Sequence, residues 1–220
     1  MMVKRYPVCM EIAGNTALWT RPDSGDSPTS YIAPTYSAVK GIFETILWGP
    51  AIEIIPTRVD ICAPVQWSSY VTNYTGPLRS SDQIKKDSSY QLYATVLTDV
   101  CYRLYADVTV SAKKNQMSEK SFQWDQKTTS PGHAYQAIFN RRLERGQAYG
   151  CPCLGWKEFT PSYFGSFRNG TVPCTEISEV IPSMLREVFP GGHHSAYNPV
   201  YDIDVEVKNG VLIYPERSAL

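Results

Sequence analysis

The stretch from Tyr31 to Gln66 constrains this chain most, because a loop, a helix and a strand follow one another there directly. Thr35 or Ser37 can cap the helix, since either hydroxyl accepts from a first-turn amide that has no partner within the helix. Ala38, Val39, Ile42, Phe43, Ile46 and Leu47 then recur at the spacing that puts them on one face. Gly49-Pro50 ends the helix, because proline cannot continue its hydrogen-bond ladder. The β-branched residues beyond it, from Ala51 to Ile55 and from Val59 to Val65, predict a strand reaching Trp67. Upstream, Arg21 to Ser30 is rich in Pro, Ser, Gly and Asp and predicts a loop.

The remainder supplies mainly strands. Val8, Met10 and Ile12 alternate with Cys9 and Glu11, a half-buried strand, so strand–helix–strand forms half of a ferredoxin-like split βαβ unit. Ser68 to Ser89 is polar, with Gly76-Pro77 and Lys85-Lys86-Asp87, and predicts a mobile projection. Tyr90 to Val110 reads as one long strand with apolar even positions, interrupted at Thr98 beside Asp99, where a bend or bulge is expected. A polar loop from Ser111 to Gly132 precedes a second helix, Ala134 to Arg145, with Tyr135, Ile138, Phe139 and Arg142 on one face and Gly146 at its end. A strand from Gly150 to Phe159 would complete the unit. Asp202 to Val207 alternates, Asn209-Gly210 is a strong hairpin signal, and Val211 to Tyr214 returns. Ser183 to Phe189 is compatible with a short helix. The reading is an α+β chain, with a ferredoxin-like domain over residues 1–149 carrying a long β-hairpin. A small C-terminal antiparallel β-sheet over residues 150–220 packs on it.

With 220 residues, 43% hydrophobic and 19% charged, the chain is long enough to bury a core without staples. It has no apolar run of about 18 residues and no signal-peptide core at its start, so a cytoplasmic location is expected and no membrane partner. The six cysteines then read as thiols, with Cys9, Cys62 and Cys101 as small buried hydrophobes. Cys151-Pro152-Cys153 supplies two of the four ligands a structural zinc needs, and only chance folding would add Cys174 or His193-His194, so no metal and no cofactor is expected. Net charge is zero, yet residues 79–145 carry 11 basic and 7 acidic groups while residues 146–220 carry 5 and 8. A basic middle on a neutral chain suits a localised polyanion contact, or else a solvated face.

Three blocks carry a family resemblance. Residues Ala17 to Pro64, with "TRPD", "PTYSAVKGIFETILWGPAIEI" and "VDICAP", resemble the Cas-five family of CRISPR-associated proteins, type I-C branch, in the RAMP superfamily. "FNRRLERGQAYGCPCLGWKEF", Phe139 to Phe159, is similar to that family's middle motif, and "VKNGVLIYP", Val207 to Pro215, to its C-terminal hairpin. The resemblance implies an RNA-recognition-like (RRM-like) fold in a subunit of a type I CRISPR effector complex (Cascade). Such a subunit holds the repeat-derived 5′ handle of crRNA, and the backbone-forming and large subunits are its protein partners. It also implies metal-independent cutting of pre-crRNA at the repeat hairpin, in antiviral defence, with the RNA 2′-hydroxyl as nucleophile and a 2′,3′-cyclic phosphate as product.

For RNA binding the residues themselves make a case. Arg141 and Arg145 stand four apart on the second helix and share a face, while Arg142 borders its apolar side. Arg21 lies in the loop, Lys85 and Lys86 in the projection, and Asn73 is what remains of the family's Arg-Arg-Asn run, here Val71-Thr72-Asn73. Tyr36 and Trp48 flank the central helix as candidates for stacking unpaired bases.

The endoribonuclease site implied by the resemblance is a Tyr late in the central helix and a Lys-His pair before the second. Leu47 stands at the Tyr position, and the pair falls on Ala134-Tyr135 or, two residues earlier, on Gly132-His133. His133 and Tyr135 are therefore the catalytic candidates, with Lys113 or Lys114 as an added cation. Such chemistry needs a base for the hydroxyl proton, an acid for the leaving oxygen and a cation near phosphate. No Walker-type phosphate loop, zincin helix or nucleophile elbow is present. Asp202, Asp204 and Glu206 are expected on one strand face, solvated. The reading from a different class is a catalytically inactive interaction subunit or mimic that keeps this fold without RNA.

Overall fold

The computed structural model describes residues 4–74, 80–87, 90–111, 117–126, 130–190 and 196–216. In chain order its elements are β1 (Tyr6–Ala17), β2 (Trp19–Thr20), β3 (Ser30–Tyr31), α1 (Tyr36–Ile46), β4 (Ile52–Ile61), β5 (Trp67–Tyr74), α2 (Ser81–Lys85) and β6 (Tyr90–Val110). Then follow α3 (Glu119–Gln126), α4 (Pro131–Glu144), β7 (Tyr163–Gly165), β8 (Glu179–Glu187), β9 (Val200–Lys208) and β10 (Val211–Ile213).

β6 is the axis. Its alternation predicts a strand buried on one side, and it pairs antiparallel with β1 along one edge and with β4 and then β5 along the other. β1 and β4 therefore run parallel with β6 between them, joined by α1, which is the split βαβ arrangement expected from the sequence. The sheet order is β7-β1-β6-β4-β10-β9-β8, with β5 on β6. β5 and the first half of β6 form the long hairpin, Trp67 facing Leu97 and Asn73 facing Gln91. At the hairpin root Asp99 has φ 52, the irregularity anticipated beside Thr98.

Even positions of β6 from Val100 to Val108 are buried on the side that carries the helices, and Ala94 and Val96 are buried in the hairpin half, with Thr98 half-buried between the two runs. α1 lies on β4 and β8, α4 on β1 and β6, and Phe43 meets Phe139 between them at 5.4 Å. Thr35 caps α1 by accepting from the Ala38 amide at 3.3 Å. Odd positions, Cys101, Arg103, Tyr105 and Asp107, face the other way and stay half-buried.

Several expectations are corrected. The strand expected from Ala51 to Trp67 is two, β4 and β5, separated at Cys62–Gln66. Gly150 to Phe159 is a loop instead of a strand, pinned by Leu18 and Leu154 (amide to carbonyl, 2.9 Å), and the completing strand is β7. Gly155 in that loop has φ 96 and lies so close to the Leu18 carbonyl that no Cβ fits. Ser183 to Phe189 belongs mainly to β8, not to a helix. The Ser68–Ser89 segment contains β5 and α2, and α3 lies within the expected loop from Ser111.

β8, β9 and β10 form the expected C-terminal antiparallel unit, and Asn209-Gly210 makes its hairpin turn with φ 52 and 76. They join the main sheet through β10 on β4, instead of packing on it as a layer. Ladders β7–β1 and β10–β4 thus cross the 149/150 boundary. Asp204 has φ 52 and sits opposite Pro182 within a continuous register, a kink across which the alternation reverses: Asp202 turns inward to Arg186 at 2.9 Å, while Asp204 and Glu206 face solvent. These three carboxylates do not share a face.

Candidate nucleic-acid interface and acid–base cluster

α4 begins after Ser130 with Pro131 at its first position, where proline's missing amide costs nothing. Its inward residues Tyr135, Phe139 and Leu143 are buried, whereas His133, Ala137, Asn140, Arg141 and Glu144 are exposed. These exposed positions recur at helical spacing, so one solvent-facing row runs from His133 to Arg141, with exposed Arg145 just past the helix end. At 1.5 Å per residue, His133 and Arg141 stand about 12 Å apart along the axis.

Arg142 does not join them. Its Nη1 donates to the Ile46 carbonyl at 2.9 Å, and its guanidinium lies 4.1 Å from the Tyr149 ring centroid. It satisfies a carbonyl at the end of α1 that has no partner in its own helix. Tyr135 is likewise inside: 4% exposed, it donates its hydroxyl to the Leu47 carbonyl at 2.6 Å, and burial pushes the phenol far above its ordinary range. As a catalytic candidate Tyr135 is corrected, since neither substrate nor water reaches it. Tyr36 is corrected too. It is 8% exposed, with the Arg186 guanidinium 3.7 Å over its ring and Tyr214 edge-on at 5.6 Å, so both faces are shut to a base.

The remaining candidates lie on the surface. Trp48 is 56% exposed just beyond α1. Asn73 is exposed on β5, and Lys85 and Lys86 are exposed at the end of α2. Arg21 is exposed but chelated by Asp23 at 3.1 and 2.7 Å. Lys113, Lys114, His193 and His194 lie outside the described residues.

What the structure brings to His133 is the start of β1. The Tyr6 ring centroid lies 6.1 Å from that of His133, the Tyr6 hydroxyl shares a 2.8 Å hydrogen bond with Ser130, and Lys4 Nζ is 5.2 Å from the Tyr6 centroid. Gly132 fits because a Cβ there would meet Tyr6 Cδ2 at 2.5 Å, so a side chain at 132 would displace the ring that positions this group. The buried Tyr6 thus has the exposed His133 imidazole, the exposed Lys4 ammonium and the Ser130 hydroxyl around it, at the start of the row that ends in the arginines. The only sequence signal for Lys4 and Tyr6 is topological: a split βαβ order brings the beginning of β1 to the beginning of the second helix.

The sheet face opposite the helices carries a second polar group. Buried Glu11 receives Arg168 Nε at 2.5 Å and the Arg168 amide at 3.0 Å, with Arg103 at 3.6 Å. Burial pushes this carboxyl up, but the Arg168 hydrogen bonds outweigh it and hold it below its ordinary 4.5. Arg58 pairs with buried Asp60 and stacks 4.9 Å from the Tyr105 centroid. Cys62 and Cys101 lie on this face, and Cys9 on β1 is exposed, so none of the three is a fully buried hydrophobe. Among the described residues no group of three or more His, Cys, Asp or Glu side chains is placed to hold a metal ion, and no helix is long and apolar enough to cross a membrane.

The comparisons agree with this architecture. A curated protein named CRISPR pre-crRNA endoribonuclease Cas5d, from Mannheimia succiniciproducens, is 29% identical over 228 residues, spanning 94% of this chain and 93% of that protein. A protein of the same name from Thermus thermophilus is 29% identical over 165 residues, spanning 74% of this chain and 65% of that protein. A crystal structure described as that of a CRISPR-associated protein superposes with a TM-score of 0.70 at 18% identity, over 98% of this chain and 95% of that one. The family model Cas_Cas5d, described as "CRISPR-associated protein (Cas_Cas5)", matches residues 8–209, and the chain belongs to that family.

Proposed function

We propose that the chain is the crRNA-binding subunit of a type I-C-like Cascade, gripping the repeat-derived 5′ handle beside the backbone and large subunits. We propose further that it cuts pre-crRNA at the repeat hairpin. The observation that carries the reading is the exposed row on α4, with His133 at one end and Arg141 and Arg145 at the other. Phosphates along the arginines lead a strand to the imidazole.

In this reading His133 takes the proton from a 2′-hydroxyl, and that oxygen attacks the adjacent phosphorus. The P–O5′ bond breaks, leaving a 2′,3′-cyclic phosphate, and the 5′ oxygen departs with a proton supplied by water. Lys4 places positive charge where the phosphate gains negative charge. The Tyr6 ring, fixed through Ser130, positions both. Tyr6 and Lys4 thus occupy the roles for which Leu47 and Gly132 are unsuited.

The test combines labelled repeat RNA with purified protein in EDTA, read by mobility shift and denaturing gel. The expected result is a salt-sensitive shift and a cut ending in a cyclic phosphate. His133→Ala should lower the cutting rate by about 10² to 10⁴-fold while leaving affinity within about two-fold. A shift without a cut removes the cleavage half and leaves the clamp. Absence of a shift at low salt supports the interaction-only subunit instead.

A further inference from the structure

We propose that Cys62 and Cys101 form a reversible dithiol–disulfide site whose substrate is a small hydroperoxide. The pair continues the β4–β6 register one step beyond Asp60–Arg103 and Ile61–Tyr102, and the Cys62 amide donates to the Cys101 carbonyl at 2.8 Å. Directly opposed residues of antiparallel strands have Cα atoms about 4.5–5.5 Å apart. That lies within the span a disulfide bridges without backbone movement. Both cysteines line an open groove of about 1030 Å³ bounded by Arg168 and Cys174. A peroxide therefore has a route to them.

The two sulfurs are unlike. Arg168 Nη2 donates to Cys101 Sγ at 3.6 Å, whereas Cys62 Sγ donates to the Asp60 carbonyl at 3.5 Å. The neighbouring Cys62 and the Arg168 guanidinium hold the Cys101 thiol below its ordinary range, against its burial and the nearby Glu11 carboxylate, while Cys101 and burial push Cys62 up. Cys101 is the attacking thiolate and Cys62 the resolving thiol.

In the first step Cys101 sulfur attacks one peroxide oxygen. The O–O bond breaks, the other oxygen leaves with a proton as water or an alcohol, and the sulfur, oxidised by two electrons, becomes a sulfenic acid. Cys62 then attacks that sulfur. The S–S bond forms, and the hydroxyl leaves with the Cys62 proton as water. An external low-molecular-weight thiol of the glutathione class supplies the two electrons and two protons that restore the dithiol. The bond would tie the end of β4 to β6 at the hairpin root, next to the point where β5 takes over pairing. The inference does not rest on the RNA-binding reading.

The test treats the reduced, full-length chain with equimolar hydrogen peroxide at neutral pH, followed by non-reducing tryptic digestion. The expected product joins peptide Val59–Arg79 to Asp87–Arg103, two hydrogens lighter than the pair, and separates with dithiothreitol. Cys101→Ser should abolish it. Cys62→Ser should leave a sulfenic acid on Cys101 that a 1,3-dione captures. Arg168→Gln should slow Cys101 oxidation by about ten-fold without preventing the link. Circular dichroism confirms that each variant keeps its fold. Links confined to Cys151, Cys153 or Cys174, or a Cys101 that alkylates no faster than exposed Cys9, would overturn the proposal.

Discussion

His133, Lys4 and Tyr6 come together although Tyr6 and its partner Ser130 stand 124 positions apart, which is why local spacing reveals one of the three and not the others. Tyr6→Phe keeps the ring and removes the Ser130 bond, so a loss of about 1 kcal/mol is expected in urea melts. If cutting falls by far more than such a loss implies, the hydroxyl takes part beyond positioning. Tyr135 is a candidate from sequence because the family's Lys-His pair falls on Ala134-Tyr135 in one alignment. Residues two apart on a helix point about 200° apart, however, so while His133 faces solvent Tyr135 faces the core and serves the Leu47 carbonyl. Glu11 supports a pH prediction. Its folded value lies below 4.5, so its stabilisation is complete above that value and is lost as pH falls through the lowered one. The acid limb of the thermal midpoint should therefore flatten in Glu11→Gln, measured by scanning calorimetry between pH 6 and about pH 3. The same variant should be less stable at neutral pH, because Arg168 and Arg103 lose their shared anion.

On α4 and at its cap, three arginines that look alike in sequence divide by the direction each takes. Arg141→Ala should lower the slope of log affinity against log salt by about one, with little change in stability. Arg142→Ala should leave that slope alone and cost about 1–3 kcal/mol, because it abandons the Ile46 carbonyl. Removing the cap of α1 with Thr35→Ala should cost about 1 kcal/mol. α1, α4, β6 and the Asn209-Gly210 hairpin were legible because long, regular patterns with marked ends specify them. β8 was not. Its buried positions, Ile181, Met184 and Arg186, are spaced three and two apart, with a register shift between Leu185 and Glu187, and a three-residue step imitates a helix. β5 was missed for another reason: its outward residues Trp67 and Val71 are mixed with serines and Thr72, and pairing with β6 holds it in place.

Across the whole molecule, one sheet carries everything from β7 to β8, and the strands after residue 150 complete both of its sides. A chain ending at Tyr149 would lose the β7–β1 and β10–β4 ladders and would leave buried Glu11 with Arg103 but without its Arg168 hydrogen bonds. Such a fragment should lack a cooperative urea transition, whereas fluorescence and circular dichroism should report one coincident transition for the full chain. The sequence offered no sign of this union, because β10 is three residues long and its pairing with β4 depends on where the preceding loop releases it. The kink at Asp204 opposite Pro182 has a further consequence. β8 ends the sheet, where an outermost strand offering its amides and carbonyls would invite a like strand from a neighbouring molecule, but the Tyr31 hydroxyl already donates to the Ser183 carbonyl and accepts from the Leu185 amide. A residue with no amide hydrogen, set against a local kink, breaks that invitation midway, so copies of the chain can crowd together without zipping into a shared ribbon.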